Sequence, residues 1–133
     1  MEKDEFTTAY LTAALWTETD ETDPDQGGEP LDANYEFDDI EADTLAEMIQ
    51  DCRNFQAANA ELITDENVAS DLVDHSTDAR AGHDFWLTRN HHGAGFWDGD
   101  WKEPAAEKLT EAAHAFAEYN LTATGDGGQV YKM

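Results

Sequence analysis

Apolar residues recur at helical spacing in three segments, each of which predicts an amphipathic helix. The first spans residues 6–16, and the last spans 103–118, where Pro104 suits a first helical position. The clearest spans 44–63, where apolar side chains recur every three or four positions. Asp43 or Thr44 can cap its start, and Thr44 with Glu47 fits a capping box. These patterns predict three packed helices.

The middle of the chain gives mixed signals. Residues 65–81 predict a less regular helix with Val68 and Leu72 as core candidates and Gly82 as its terminator. Residues 84–90 are rich in strand formers, residues 91–95 predict a turn, and residues 96–98 predict a returning strand. This stretch is therefore expected to contain a fourth helix followed by a hairpin.

Shorter segments complete the predicted fold. Residues 17–31 contain Pro, Gly and many acids and predict an exposed loop, whereas residues 32–39 predict an extended segment. Near the end, Gly-Asp-Gly-Gly separates two apolar runs, which predicts a hairpin over 119–132. The expected fold class is α+β, with three to four helices packed on a small antiparallel sheet formed mainly by the C-terminal half. A single domain is expected over 1–133, with an acidic helical front half (1–82) and an aromatic, β-rich back half (83–133).

Composition supports a packed domain. The chain has 133 residues, 40 % of them hydrophobic, with four Trp, four Tyr and six Phe, which excludes a wholly disordered acidic tail. A run of about 18 apolar residues is missing, so no membrane span is expected, and the first residues lack the features of a signal peptide. Cys52 is the single cysteine, which predicts a reducing, cytoplasmic location.

The charge is large and uneven. The net charge is −24, and residues 1–66 hold two bases and twenty acids, against five bases and eleven acids in residues 67–133. Between Lys3 and Arg53 there is no basic residue. Direct binding to nucleic acid is not expected, because it requires a basic surface. Such a block of like charge repels itself, so a role outside folding is expected to favour it.

Acidic residues around the start of the second helix are the candidate partner-binding site. Carboxylates four residues apart on a helix lie about 5–6 Å from each other. Asp43, Glu47 and Asp51 have this spacing, and Asp39 continues the row if the helix starts early. The predicted site consists of Asp38, Asp39, Glu41, Asp43, Glu47 and Asp51.

Histidines and acids in residues 83–98 are weak candidates for a metal site: His83, Asp84, His91, His92 and Asp98. Imidazole and carboxylate together suit zinc, iron or nickel. The favoured interpretation is structural, with hydrogen-bonded rings among aromatics, so no metal and no cofactor is expected. Arg89 is likewise interpreted as one partner of an internal salt bridge.

Residues 81–98 read AGHDFWLTRNHHGAGFWD, and this segment resembles one found in small phage and prophage proteins of uncharacterised function. Their usual form has Gly where His91 stands, and Gly tolerates positive φ more readily than His. The later helix and the terminal hairpin are also similar to those proteins. The resemblance covers the C-terminal half strongly and the N-terminal half loosely. It implies a phage-encoded protein acting in the cytoplasm of an infected host cell, and it implies no activity.

Three functions are open at this point. The first is an interaction protein that mimics nucleic acid and blocks a basic nucleic-acid-binding host defence protein, of the anti-CRISPR or anti-restriction type. The second is a salt-adapted protein with a dispersed acidic surface. The third is a metal-dependent protein that uses the cluster between His83 and Asp98. The first is favoured, because the acids are concentrated in the front half; an enzyme is not expected.

Overall fold

The computed structural model describes residues 4–20, 29–33, 35–68, 76–91, 95–97, 101–123 and 129–132. Four helices pack with a small antiparallel strand pair near the C-terminus, so the predicted α+β class is confirmed. The helices are α1 (Glu5–Thr17), α2 (Ala42–Asn59), α3 (Thr77–Arg89) and α4 (Ala105–His114), and the strands are β1 (Thr19–Asp20), β2 (Glu29–Pro30), β3 (Leu121–Ala123) and β4 (Val130–Lys132).

Helices α1 and α3 pack against each other through the centre of the molecule. Phe6 and Tyr10 of α1 and Phe85 and Trp86 of α3 are fully buried. The rings of Tyr10 and Phe85 stack at 5.3 Å between centroids. Gly82 lies within α3, where a Cβ would come 1.9 Å from the Phe6 carbonyl oxygen. Gly82 therefore permits the close approach of the two helices. The prediction that Gly82 terminates a helix is wrong, because α3 continues to Arg89.

The predicted strand over 84–90 is wrong, because these residues form the last turns of α3 and the residue that follows it. The helix is capped by the Ser76 hydroxyl, which accepts from the Ala79 N–H at 3.1 Å. Asp78 in the first turn and Arg89 in the last turn suit the helix dipole. Every side chain from Asp84 to Arg89 is buried, so no polar face reveals the helical period. Phe96 and Trp97 are not in a strand either, and residues 92–94 and Asp98 lie outside the described residues.

Helix α2 starts two residues earlier than predicted, at Ala42. Its cap is Glu41, whose carboxylate accepts from the Asp43 and Thr44 N–H groups at 3.1 and 2.9 Å. The expected caps, Asp43 and Thr44, thus lie inside the helix. The predicted extended segment over 32–39 is wrong, because 3₁₀ turns lie at Leu31–Ala33 and Phe37–Asp39. Glu36 between them is extended, and Asn34 lies outside the described residues. Of the predicted helix over 65–81, the structure shows a 3₁₀ turn at Asp65–Asn67 and the start of α3, while Leu72 lies outside the described residues.

The predicted terminal hairpin is confirmed as the antiparallel pair β3–β4, with Thr122 opposite Tyr131. Val130 of β4 is fully buried and forms a bridge with Ile40, just before α2. This bridge holds the entrance of α2 against the C-terminal strands. At the ends of the predicted loop over 17–31, β1 and β2 form a two-residue ladder, which the sequence did not indicate.

Candidate partner-binding surface

The segment that leads into α2 carries most of the predicted site. We call five of its carboxylates the acidic surface: Asp38, Asp39, Glu41, Asp43 and Glu47. Asp38, Asp43 and Glu47 are exposed, while the other two are partly buried. The segment from Asp32 to Glu47 contains no basic residue. The acidic surface is therefore continuous in sequence across a 3₁₀ turn and the first turns of a helix.

Backbone hydrogen bonds orient two members of the acidic surface. The Asp39 carboxylate accepts from the Glu36 N–H at 2.8 Å, which closes the 3₁₀ turn. The N–H groups of Asp43 and Thr44 lower the pKa of Glu41, because they bond its ionised carboxylate. Asp39 lies in the turn before α2, so the helix does not start early enough for Asp39 to continue the row.

Glu47 is partly neutralised. Its carboxylate lies 3.3 Å from the Lys132 ammonium, and both side chains are about half exposed, at 51 %. The Lys132 ammonium also lies 5.0 Å from the centre of the Tyr119 ring. Among the described residues, Lys132 is the one base within ion-pair distance of the acidic surface. An exposed pair of this kind is screened by salt and contributes at most about 1 kcal/mol.

Asp51, the sixth residue of the predicted site, forms an ion pair within the fold. Its carboxylate lies 2.9 Å from Nη1 of Arg89, whose side chain is 3 % exposed. Asp51 itself is only 22 % exposed. This ion pair confirms the interpretation of Arg89 as a salt-bridge partner. Because its charge is neutralised by Arg89, Asp51 is not counted in the acidic surface. The exposed row of carboxylates on α2 therefore consists of Asp43 and Glu47.

Arg89 joins three helices and the segment after α4. Besides Asp51, its guanidinium donates to the Tyr10 hydroxyl at 2.9 Å and to the Ala117 carbonyl at 3.0 and 2.7 Å. Its Cζ also lies 5.4 Å from the Phe85 ring centre. Burial raises the pKa of Tyr10, so its hydroxyl keeps its proton. The cluster is structural, because each of the three guanidinium nitrogens already donates to a partner within the protein.

The candidate metal residues are dispersed where they can be described. Asp84 is buried and accepts from the Trp101 indole N–H at 2.8 Å, while His83 stacks on Trp16 at 6.4 Å. His91 stacks on His114 at 4.7 Å, and its Nε2 lies 3.8 Å from a Glu118 oxygen. In the part of the chain that the structure covers, no group of three or more His, Cys, Asp or Glu could hold a metal ion. His92 and Asp98 lie outside the described residues.

His91 stands at the position for which the predicted resemblance to phage proteins gives Gly. It follows the end of α3 with φ of 57°, in the left-handed region that glycine adopts without strain. The neighbouring Asn90 holds this turn in place, because its side-chain oxygen accepts from the Tyr119 N–H at 2.7 Å. His91 therefore follows α3 in a left-handed conformation that histidine adopts less readily than glycine.

A groove beside the acidic surface was missed at the sequence level. It has a volume of about 430 Å³ and lies between α1 and the segment 32–38. Its lining includes Thr12, Leu15, Asp32, Tyr35, Glu36, Phe37 and Asp38. The signal in the sequence is the alternation of aromatic and acidic residues from Tyr35 to Asp38. The groove depends on where α1 lies, which the local pattern does not specify.

In comparisons with protein families, curated proteins and solved structures, no match to this chain was found. The resemblance to phage proteins accordingly stays a prediction. Within the described residues, no helix combines the length and the apolar character needed to cross a membrane.

Proposed function

We propose that this protein is an acidic, phage-type interaction protein that mimics nucleic acid and blocks a host nucleic-acid-binding defence protein, of the anti-CRISPR or anti-restriction type. It would act in the cytoplasm of the infected cell. The observation that carries the proposal is the acidic surface: five carboxylates in ten residues, opposed by a single base, Lys132, among the described residues. The proposed partner is a basic protein whose groove normally holds a polynucleotide.

The geometry of the acidic surface supports this role. Duplex DNA presents one negative charge per about 1.7 Å of its axis, so an imitator needs closely spaced charges in fixed positions. Asp43 and Glu47 lie one helical turn apart, and backbone N–H groups hold Asp39 and Glu41. Carboxylates that are already fixed in the free protein lose little conformational entropy when a partner binds. The mechanism is electrostatic and steric: the acidic surface attracts the basic groove, occupies it and excludes the polynucleotide.

The structure identifies which acids can be changed without damage to the fold. Reversing Asp51 would place a second cation against buried Arg89. Replacing Glu41 would remove the cap of α2, and replacing Asp39 would remove the hydrogen bond that closes the preceding 3₁₀ turn. Asp38 and Asp43 are exposed members of the acidic surface that cap no turn. The double variant Asp38→Lys/Asp43→Lys is therefore the appropriate probe.

The test is a competition assay. A purified restriction endonuclease or CRISPR effector complex of the host is bound to fluorescent duplex DNA, and this protein is titrated in at several KCl concentrations. We expect displacement that weakens as salt rises, and an inhibitory concentration raised about tenfold or more by the double reversal. The control is Glu61→Lys/Glu107→Lys, which makes the same charge change at exposed sites outside the acidic surface. Equal losses for both variants would show that net charge alone acts, and would refute the proposal.

A second candidate is a surface adapted to high salt. Exposed carboxylates also occur away from the acidic surface, at Glu5, Glu61, Glu66, Glu107 and Glu111. In this case the acids only hydrate the exterior, and the protein displaces DNA from no target. Thermal unfolding in KCl separates the two: the salt-adapted protein requires molar KCl for stability, and both double reversals lower that requirement equally.

A further inference from the structure

The groove beside the acidic surface has two kinds of wall. Leu15 of α1 and the rings of Tyr35 and Phe37 supply apolar lining, and Asp32, Glu36 and Asp38 supply carboxylates. None of the bases that the structure describes lines it. Its volume of about 430 Å³ lies in the range of small-ligand sites, which is about 300–1,000 Å³. The space therefore suits a long side chain with an apolar stem and a positive end.

The groove is held open by contacts within the fold. Leu31 is fully buried, and its N–H donates to the Glu18 carbonyl at the end of α1. The Tyr35 N–H donates to the Leu31 carbonyl, each at 2.9 Å. On the other side, Ile40 is buried and pairs with Val130 of β4. The segment between these anchors is thus fixed at both ends, and its aromatic and acidic side chains line a formed groove.

We infer that this groove binds an arginine side chain presented by a basic segment of a partner protein. A guanidinium is planar, so it stacks on aromatic rings while its N–H groups donate to carboxylates. A lysine ammonium is more strongly hydrated and cannot stack in this way, so arginine is preferred. The inference rests on the proposed function for its biological partner, and it adds an anchor point next to the acidic surface.

The groove is tested without any partner protein. N-acetyl-arginine amide is titrated into ¹⁵N-labelled protein, with N-acetyl-lysine amide and N-acetyl-citrulline amide as comparisons; citrulline has nearly the same shape without charge. We expect saturable amide shifts at Thr12, Leu15 and residues 35–38 for arginine. Lysine should bind more weakly, and citrulline should give no saturable shifts.

Matched variants show whether the groove itself is responsible. Asp32→Asn/Glu36→Gln keeps an oxygen acceptor at each site and should weaken arginine binding about fivefold. The control, Glu61→Gln/Glu107→Gln, removes the same charge from exposed sites that do not line the groove and should change the affinity less than about twofold. Phe37→Leu keeps an apolar side chain but removes the ring, and should lower the affinity for arginine to that for lysine.

Shifts that spread over all exposed acids, equal losses for the groove and control variants, or equal affinity for arginine and lysine would each overturn the inference. Asp38 belongs to both the groove and the acidic surface, so the two failures are distinguished by the two assays on the native protein: the arginine titration contains no partner, and the competition assay contains no arginine ligand. If arginine binds in the groove but no DNA is displaced in the competition assay, the groove stands and nucleic-acid mimicry fails. If DNA is displaced but arginine does not bind in the groove, nucleic-acid mimicry stands and the groove inference fails.

Discussion

Replacing Arg89 tests the structural account most directly. The change Arg89→Met keeps much of the side-chain volume but removes the charge and all the guanidinium donors. Three acceptors then lose their partner: the Asp51 carboxylate, the Tyr10 hydroxyl and the Ala117 carbonyl. Asp51 and Ala117 reach water, whereas Tyr10 is fully buried and cannot. An unsatisfied buried hydroxyl costs about 1–3 kcal/mol, and a hydrogen bond to a charged group contributes about 1.5–3 kcal/mol. We therefore expect Arg89→Met to lower the free energy of unfolding by about 3 kcal/mol or more, which is a large part of the total stability of a small domain.

The assay is urea unfolding followed by tryptophan fluorescence and circular dichroism at constant KCl. Arg53→Met is the control, because Arg53 is an exposed arginine on α2, and it should change the free energy of unfolding by less than about 0.5 kcal/mol. The variant Asp51→Asn should cost less than Arg89→Met, because an amide oxygen still accepts from the guanidinium. In a double-mutant cycle the two changes should be coupled by about 1–3 kcal/mol.

A loss of less than about 1 kcal/mol for Arg89→Met, or additive effects in the cycle, would refute the argument that this pair is a buried structural link. Asp51 would then be available to a partner, and the original six-residue site would be restored. The stability measurement therefore also defines the extent of the acidic surface.

Two further predictions concern the packing of α1. Gly82→Ala should lower the free energy of unfolding by about 2 kcal/mol, because the clash of the new Cβ with the Phe6 carbonyl costs more than the better helix propensity of Ala contributes. The reverse change at an exposed helical site, Ala46→Gly, should cost about 1 kcal/mol. Burial raises the pKa of Glu18 to about 7, although the Leu121 N–H bonds its carboxylate and opposes this shift. The folded protein thus holds a proton that the unfolded chain releases near pH 4.5, so this contribution to stability is present below about pH 4.5 and is lost as pH rises to about 7. Glu18→Gln should remove that loss, so its melting temperature relative to the native protein should be higher at about pH 8 than at about pH 5; an equal difference at both pH values would contradict the assigned pKa.

Local sequence patterns were sufficient to predict the secondary structure where an element has one buried and one exposed face. In α2, Met48, Cys52 and Phe55 are buried at helical spacing, so the period is legible in the sequence. The β3–β4 hairpin was equally predictable, because Gly-Asp-Gly-Gly separates two short apolar runs. In each case the information lies within a few neighbouring residues.

Helix α3 shows where this approach fails. Its last six side chains are all buried, including the polar groups of Asp84, Thr88 and Arg89. Without an exposed face, helical and strand patterns look alike, and the Phe, Trp and Thr residues favoured the wrong choice. Only the packing of α1 and the neighbouring rings around this segment decided that it is a helix.

For the candidate site, the sequence alone determined that the chain is strongly anionic and that its charge is concentrated before residue 67. It also indicated that most of these charges lie at the surface, because ionised side chains rarely stay buried without a partner. Tertiary structure decided which carboxylates face solvent. Asp51 differs from Asp43 because Arg89, 38 positions away, neutralises it, and the groove exists because α1 lies against the segment 32–38. Pairings across such separations depend on the packing of whole helices, which no local pattern encodes.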